Sequence, residues 1–570
     1  MKMASGDMTI GAASSRLAET RAVAMDAFAL WPALFALILA IACQAHGGLI
    51  GDVSWLITAG EEFLDGKVAY VDFMETNPPA AILVYLPAIA AARLTSVTPE
   101  FMVGLFCFVE IGGSLALCAA ILRRAGLAEN IGPVAFAGVL AALALLPAHA
   151  FAQREHVAVV FALPFFATLA TRAAGARVDA GFACLAGLGA GVMISLKPHF
   201  ALMIVAVAPY LVWRIGWRKT ATSLEFYAAA AVFSLHAVAT VLFFPAYLHN
   251  VAPLVFATYL PVRHSWADLA SGAGFVSWLA LGAYFVATAR EKIGDPLLAT
   301  PALASLGGMA IYFVQAKAWP YQSYPALALM AIAVFLATPR GASAFRRFAP
   351  ALVCLALVLT IEFIAPTMKS GFALVLAPIG VAVIAAGILN GVAARRRGET
   401  AEISTLALGF VAAILWTWFD QCDNPFSFEA KAAALTAHPR VVAISGDLNV
   451  GFPFVRRVGG VWAQRTNMLW ITVGASWLIH NSGDDPATIA AMQPYLKLDR
   501  EMLSEDIRRN RPDLILISNR LEKFRDWAFA DPAIAAALAD YRLYATDEHA
   551  PGVFLYARAD LIAPGRGLAD

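Results

Sequence analysis

Charge is what this sequence has least of. Asp, Glu, Lys and Arg make up 14% of its 570 residues, where soluble domains carry about 25%. That excludes an ordinary soluble globular protein. The net charge of +1 leaves no basic footprint for nucleic acid. Cysteine is scarce too. Of six, Cys43, Cys107, Cys118, Cys184 and Cys354 lie in apolar runs and only Cys422 lies outside them, so no disulfide framework is expected. There is no P-loop, no dinucleotide fingerprint, no internal repeat and no low-complexity linker. No small-residue cleavage site follows the polar Met1–Met25 stretch, so the apolar run after it reads as a retained membrane span.

What abounds is apolar sequence: 60% hydrophobic residues and a mean hydropathy of +0.69. A span needs about 20 apolar residues. Thirteen candidates occur, near 27–46, 101–122, 131–150, 157–171, 180–196, 199–213, 222–245, 272–289, 296–314, 324–338, 349–366, 372–393 and 403–419. Several are short, which implies tilt or local thinning. The run from Pro78 to Arg93 starts with two prolines and is short for a span; it is read as lying on the outer surface. The charge rule decides this. With that reading, 18 Lys and Arg lie inside, including the Arg123, Arg172, Arg214, Arg290, Arg340 and Arg395 clusters, and 7 lie outside. The N-terminus is then cytoplasmic. After Phe419 charge returns to soluble levels. Strands are expected at Val441–Ser445, Leu514–Ile517, Tyr541–Ala545 and Val553–Ala557, and helices at Thr488–Arg508 and Pro532–Ala539. The expected domains are residues 1–419, transmembrane, with an outer loop at 47–100, and residues 420–570, an outer α/β domain.

This topology brings the unusual polar residues to one side. The loop after the first span holds Gly51-Asp52, Glu61-Glu62, Asp65-Gly66-Lys67 and Asp72-Phe73-Met74-Glu75-Thr76-Asn77-Pro78-Pro79. Other outer loops hold Gln153-Arg154-Glu155-His156, Lys197-Pro198-His199, Arg263 with Tyr259, and Lys317-Ala318-Trp319-Pro320-Tyr321. Singly, each has a structural reading. Glu61, Glu62 and Asp65 fit the wet face of a surface helix. Glu155 could pair with Arg154 or cap a helix. Lys197 and Lys317 could snorkel, and Trp319 and Tyr321 could belong to an aromatic belt. Together they suit chemistry on a lipid-borne phosphate: a carboxylate base, cations for a departing phosphate and aromatic surfaces. Gly51 would let the chain turn sharply out of the span. A transporter would instead place its polar groups near the bilayer midplane.

The order span, Gly51-Asp52, then Gly66-Lys67-Val68-Ala69-Tyr70-Val71-Asp72-Phe73-Met74-Glu75-Thr76-Asn77-Pro78-Pro79 resembles the first outer loop of GT-C glycosyltransferases. That group includes the protein O-mannosyltransferases and the lipid A aminoarabinose transferase. The resemblance implies a polytopic α-helical, GT-C-like membrane fold with a periplasmic C-terminal α/β domain in a bacterial inner membrane. It implies transfer of a sugar from a polyprenyl-phosphate donor to a glycan or glycolipid acceptor, and a single inverting displacement is the mechanism favoured for it. Asp52 takes the place of the base, and Glu155 that of a second acidic site. Lys197, Arg263, Lys317, Arg154, His156, His199, Tyr321 and Glu75 are candidates for donor phosphate and sugar. Asn77 stands where related enzymes often have Lys. No organic cofactor is implied. The loop carboxylates could hold a divalent metal, though no ligand spacing is diagnostic. The alternatives are a flippase of lipid-linked sugars, or a polysaccharide ligase or polymerase with a lipid-diphosphate donor.

Overall fold

The structure, a computed structural model, describes residues 31–45, 48–289, 291–337, 425–520, 522–549 and 551–562. Three expected spans, 349–366, 372–393 and 403–419, lie outside the described residues, as does the boundary at 419. The other ten candidate segments coincide with helices. Among the described residues five helices are long and apolar enough to cross a membrane: Pro99–Arg124, Arg154–Ala173, Pro198–Ile215, Leu224–Phe243 and Pro296–Gln315. Trp31–Ala45, Pro133–Ala144, Ala180–Leu196 and Pro320–Leu336 are shorter and apolar. Pro78–Arg93 is not one helix. It forms Ala80–Leu83 and Leu86–Thr95, and Arg93 ties the second to the helix Gly51–Leu64 through Glu61 O at 2.9 Å.

One pair of helices in the bundle packs backbone to backbone. A Cβ on Gly187 would stand 2.4 Å from Glu225 O, and one on Gly191 2.8 Å from Ala229 O. Small residues at i and i+4 therefore let Ala180–Leu196 lie directly on Leu224–Phe243. Arg154–Ala173 is buried along most of its length. Its start is capped by Gln153, whose side chain accepts the Arg154 N–H at 3.0 Å, and Glu155 in the first turn suits the positive end of the helix.

The C-terminal residues form a five-stranded sheet of β1 (Arg440–Ile444), β2 (Val461–Trp462), β3 (Leu514–Ser518), β4 (Tyr541–Thr546) and β5 (Val553–Arg558). The order is β2-β1-β3-β5-β4. β1 is parallel to β2 and β3, while β5 is antiparallel to β3 and β4. Period-two alternation sorts the faces. Val442, Ile444, Ile515 and Ile517 face one core with Leu503, Ile507 and Phe524. Val441, Ala443, Leu514 and Leu516 join the core that continues into the membrane helices. At that junction Trp55 meets Phe452 edge-on, 5.5 Å between centroids. The four expected strands stand within a residue of their observed bounds. Helix Pro486–Asn510 runs two residues further at each end than expected, and the helix from Pro532 ends at Ala537. β2 has no sequence signature because two residues show no period. Helix Trp470–Asn481 has none either, because it opens on the β-branched run Ile471-Thr472-Val473.

Candidate active site

The helix Gly51–Leu64 carries Asp52 in its first turn. Gly51 begins this helix and has no positive φ, so the expected turn out of a span is corrected. The glycine is needed for a close approach: a Cβ there would lie 2.6 Å from Asn449 Oδ1 and 2.8 Å from Phe452 O of the sheet domain. The expected wet face is corrected in part. Glu62 is buried against Lys67 at 2.9 Å, and Glu61 pairs with Arg456 at 2.5 Å. The sheet domain covers this helix, which a sequence pattern read one element at a time does not reveal.

Asp52 meets charges from three other segments. Arg154 Nη2 lies 3.1 Å from Asp52 Oδ1, and Arg154 Nη1 lies 3.4 Å from Glu75 Oε1. Glu75 also accepts the Trp55 indole N–H at 2.6 Å and the Asn77 backbone N–H at 2.9 Å. The Asn77 carboxamide bonds the same carboxylate, so Asn77 positions Glu75. Lys197 ends the helix Ala180–Leu196 and donates to Glu155 at 2.5 Å. Glu155 Oε2 and Arg154 Nε have no partner. Arg154, Glu75, Glu155 and Lys197 are all buried, whereas the Asp52 side chain keeps 21% of its surface open. Burial raises the Asp52 pKa, with Arg154 and Lys197 pulling against it. Burial lowers that of Lys197, with Glu155 opposing.

Five of these residues, Asp52, Glu75, Asn77, Arg154 and Lys197, border a cavity of about 370 Å³, and Glu155 stands behind them. Asp52, Glu75, Arg154 and Lys197 line it from the helical part, with the aromatic residues Tyr259, Trp319 and Tyr321. The far wall comes from the sheet domain: Gly446, Asp447, Leu448, Asn449, Asn467 and Met468. Residues 446–449 follow β1, whose neighbours β2 and β3 lie on opposite sides. The carboxyl end of a parallel strand at such a switch point is where α/β sheets bind ligands. A strand followed by Gly446-Asp447 is the sequence signal for it. Trp55 and Asn467 carried no such signal. Among the described residues no three His, Cys, Asp or Glu side chains group as a metal set.

Four expected residues are placed elsewhere. Arg263 is exposed and donates to Val314 O at 2.8 Å. Lys317 donates to the carbonyls of Tyr259 and Val262 and lies over the Tyr259 ring; burial brings its pKa down to about 8. It clamps the chain that presents Tyr259. His156 is fully buried, with its Nδ1 against Ala152 N at 3.0 Å and its Nε2 against Leu143 O at 2.7 Å. Both nitrogens are taken by backbone, so it fixes the turn before the helix. His199 is half-buried and does not border the cavity. Sequence gives each residue's depth along a span but not its direction around the bundle.

No protein-family model matches the sequence, and no curated protein does. Solved structures do resemble this one. ArnT from Cupriavidus metallidurans in the apo state has a TM-score of 0.56 and 16% identity, covering 95% of this chain and 100% of that one. The same protein bound to undecaprenyl phosphate has a TM-score of 0.53 and 15% identity, covering 94% and 99%. At this identity the likeness is one of fold, over nearly the whole of both chains.

Proposed function

We propose that this protein is a membrane glycosyltransferase. It takes a sugar from a polyprenyl-phosphate carrier and joins it to an envelope glycan or glycolipid, on the side of the membrane that holds the sheet domain. The positive-inside count supports that side being the outer one of a bacterial inner membrane. One observation carries the reading: Asp52, Arg154 and Lys197, from three separate segments, border a single cavity that the sheet domain closes. The ArnT structure with undecaprenyl phosphate supports the class of carrier.

In the proposed step the acceptor hydroxyl attacks the anomeric carbon. The bond from that carbon to the phosphate oxygen breaks on the opposite face, and polyprenyl phosphate leaves with the electron pair. The hydroxyl proton passes to Asp52. Raised by burial, its carboxylate is a better base than one in water. Lys197 has three N–H donors, and one goes to Glu155. The others can meet the phosphate, where charge-assisted bonds are strongest. Arg154 holds Asp52 and Glu75 in place and adds positive charge beside the leaving group.

The test is transfer of radiolabel by the purified protein in nanodiscs, with a panel of undecaprenyl-phosphate sugars and envelope acceptors. Label should move and undecaprenyl phosphate should be released. Lys197→Ala should weaken donor binding about 10–150-fold, the worth of a charged hydrogen bond. Arg263→Ala should leave it within about twofold. Transfer from lipid diphosphates alone would overturn the proposed donor. Movement of lipid-linked sugar across the bilayer without transfer would overturn the enzyme.

A further inference from the structure

Asn467 stands in the cavity wall opposite the membrane helices. It is 8% exposed, and its Oδ1 is buried without a hydrogen-bond partner. Buried carboxamides are almost always paired, because an unpaired one loses its water for nothing in return. A loose loop would relieve this by moving away, but this one is held at the two residues before Asn467. Arg465 O accepts the Met74 N–H at 2.7 Å. Thr466 O accepts the Trp462 indole N–H at 3.1 Å, and Thr466 Oγ1 accepts from Gln464 at 3.0 Å. Arg465 is bound through its N–H and Nε to Asp506, at 2.9 and 2.8 Å. The backbone that presents Asn467 to the cavity is therefore held by its neighbours. Asp447 borders the same cavity, with Oδ1 capping the Asn449 N–H at 3.0 Å.

We propose that Asn467, with Asp447, reads the hydroxyl groups of a sugar ring held between the sheet domain and Asp52. The inference rests on the transferase reading and names what the sheet domain does in it. A sugar hydroxyl is both donor and acceptor. A carboxamide offers both functions, and a carboxylate offers acceptors only. Together they can take adjacent hydroxyls of one ring and reject a ring with a hydroxyl missing or inverted, since a polar group left unpaired discriminates strongly. Trp319 and Tyr321, which line the same cavity, can offer aromatic surface to the ring's C–H side. The sugar can be that of the donor or that of the acceptor; the chemistry is shared.

The full-length protein in nanodiscs is titrated with methyl pentosides, hexosides and aminohexosides by saturation-transfer NMR. In parallel it is titrated with undecaprenyl phosphate, bare and sugar-linked. The wild type should prefer one glycoside. Asn467→Ala and Asn467→Leu should each weaken that glycoside about tenfold, with bare undecaprenyl phosphate unchanged within about twofold. Asn467→Asp keeps the shape and an acceptor, and should recover part of the loss. If the sugar is the donor's, affinity for the sugar-linked carrier falls by the same factor. If it is the acceptor's, that affinity holds and the acceptor KM rises. Either pattern supports the inference. Glycoside binding at wild-type strength in both variants overturns it. So does a wild type that binds no glycoside, or an equal loss of bare undecaprenyl phosphate, since the residue then only shapes its loop. A protein that binds glycosides through Asn467 yet transfers no sugar refutes the transfer reading alone. One that transfers sugar with unaltered KM and preference as Asn467→Leu refutes this inference alone.

Discussion

The helix Arg154–Ala173 has at each end an ion pair to a buried glutamate, and the two are built differently. At its C-terminal end Arg172 grips Glu225 with two parallel bonds, Nε to Oε1 at 2.5 Å and Nη2 to Oε2 at 2.8 Å. Both carboxylate oxygens are used. At its N-terminal end, about 26 Å away at 1.5 Å per residue, Glu155 meets Lys197 through one oxygen only. Its other oxygen and the Arg154 Nε are buried without partners. A cavity opens beside the second pair and includes neither Arg172 nor Glu225 among its walls. Both pairs bury charge, so burial alone does not separate a strut from a reacting centre. Completeness does. The closed pair joins Arg154–Ala173 to Leu224–Phe243, and the incomplete one keeps hydrogen-bonding capacity for something else.

The comparison breaks most visibly at Asp52. Loss of a general base costs about 10²–10⁴-fold in rate. Asp52→Asn should fold, bind the donor and lose turnover by that factor. Above about a tenth of wild-type turnover the base lies elsewhere, and Glu155 is the next carboxylate to test. The pH profile sharpens the point. A base works deprotonated, so activity is complete above its pKa and falls as pH drops through it. Since burial raises the Asp52 pKa above 3.8, the acid limb of kcat/KM should lie above that value. A limb at or below it would mean the titrating group is another.

At the other end of the helix the expected damage is of the opposite kind. Glu225→Gln removes the charge opposite Arg172 and should cost about 1–3 kcal/mol of stability. The readout is a lower melting temperature of the solubilised protein, beside turnover per folded molecule. Turnover should stay within about twofold. A stable Glu225→Gln with lost turnover would reverse the roles assigned to the two ends.

Much of this was legible from residues. Ten apolar segments and four strands fall where period and composition put them. Asp52, Glu75, Arg154, Glu155 and Lys197 do converge, because span ends on one side of a membrane have little room to separate. Position along a span is written in the sequence, but azimuth around the bundle is not. That is why Lys317 turns to the Tyr259 carbonyl and His156 to Leu143 O. Contacts between distant segments were illegible for the same reason. Nothing near Gly51 announces Asn449, nor anything near Met74 the loop at Thr466 that it bridges. The sheet domain's part in the cavity is made of such contacts.

The smallest expected effect tests whether that domain must be held in place. Arg456, on the helix Phe454–Arg457, reaches Thr58 Oγ1 at 3.1 Å and Glu61 Oε2 at 2.5 Å, and it also pairs with Glu100. It thus ties the sheet domain to the helix that carries Asp52 and to the first turn of Pro99–Arg124. Its side chain is 13% exposed and its partners are about a third exposed, so water screens the pairs and their worth is about 1 kcal/mol. Apolar contacts such as Trp55 with Phe452 remain when the pairs are gone. Arg456→Ala should therefore leave the domain docked. It should slow transfer by only a few fold, and high salt should bring the wild type partway toward the variant. A loss as large as that of Asp52→Asn would mean that the ion pairs, not the apolar junction, set the geometry of the cavity.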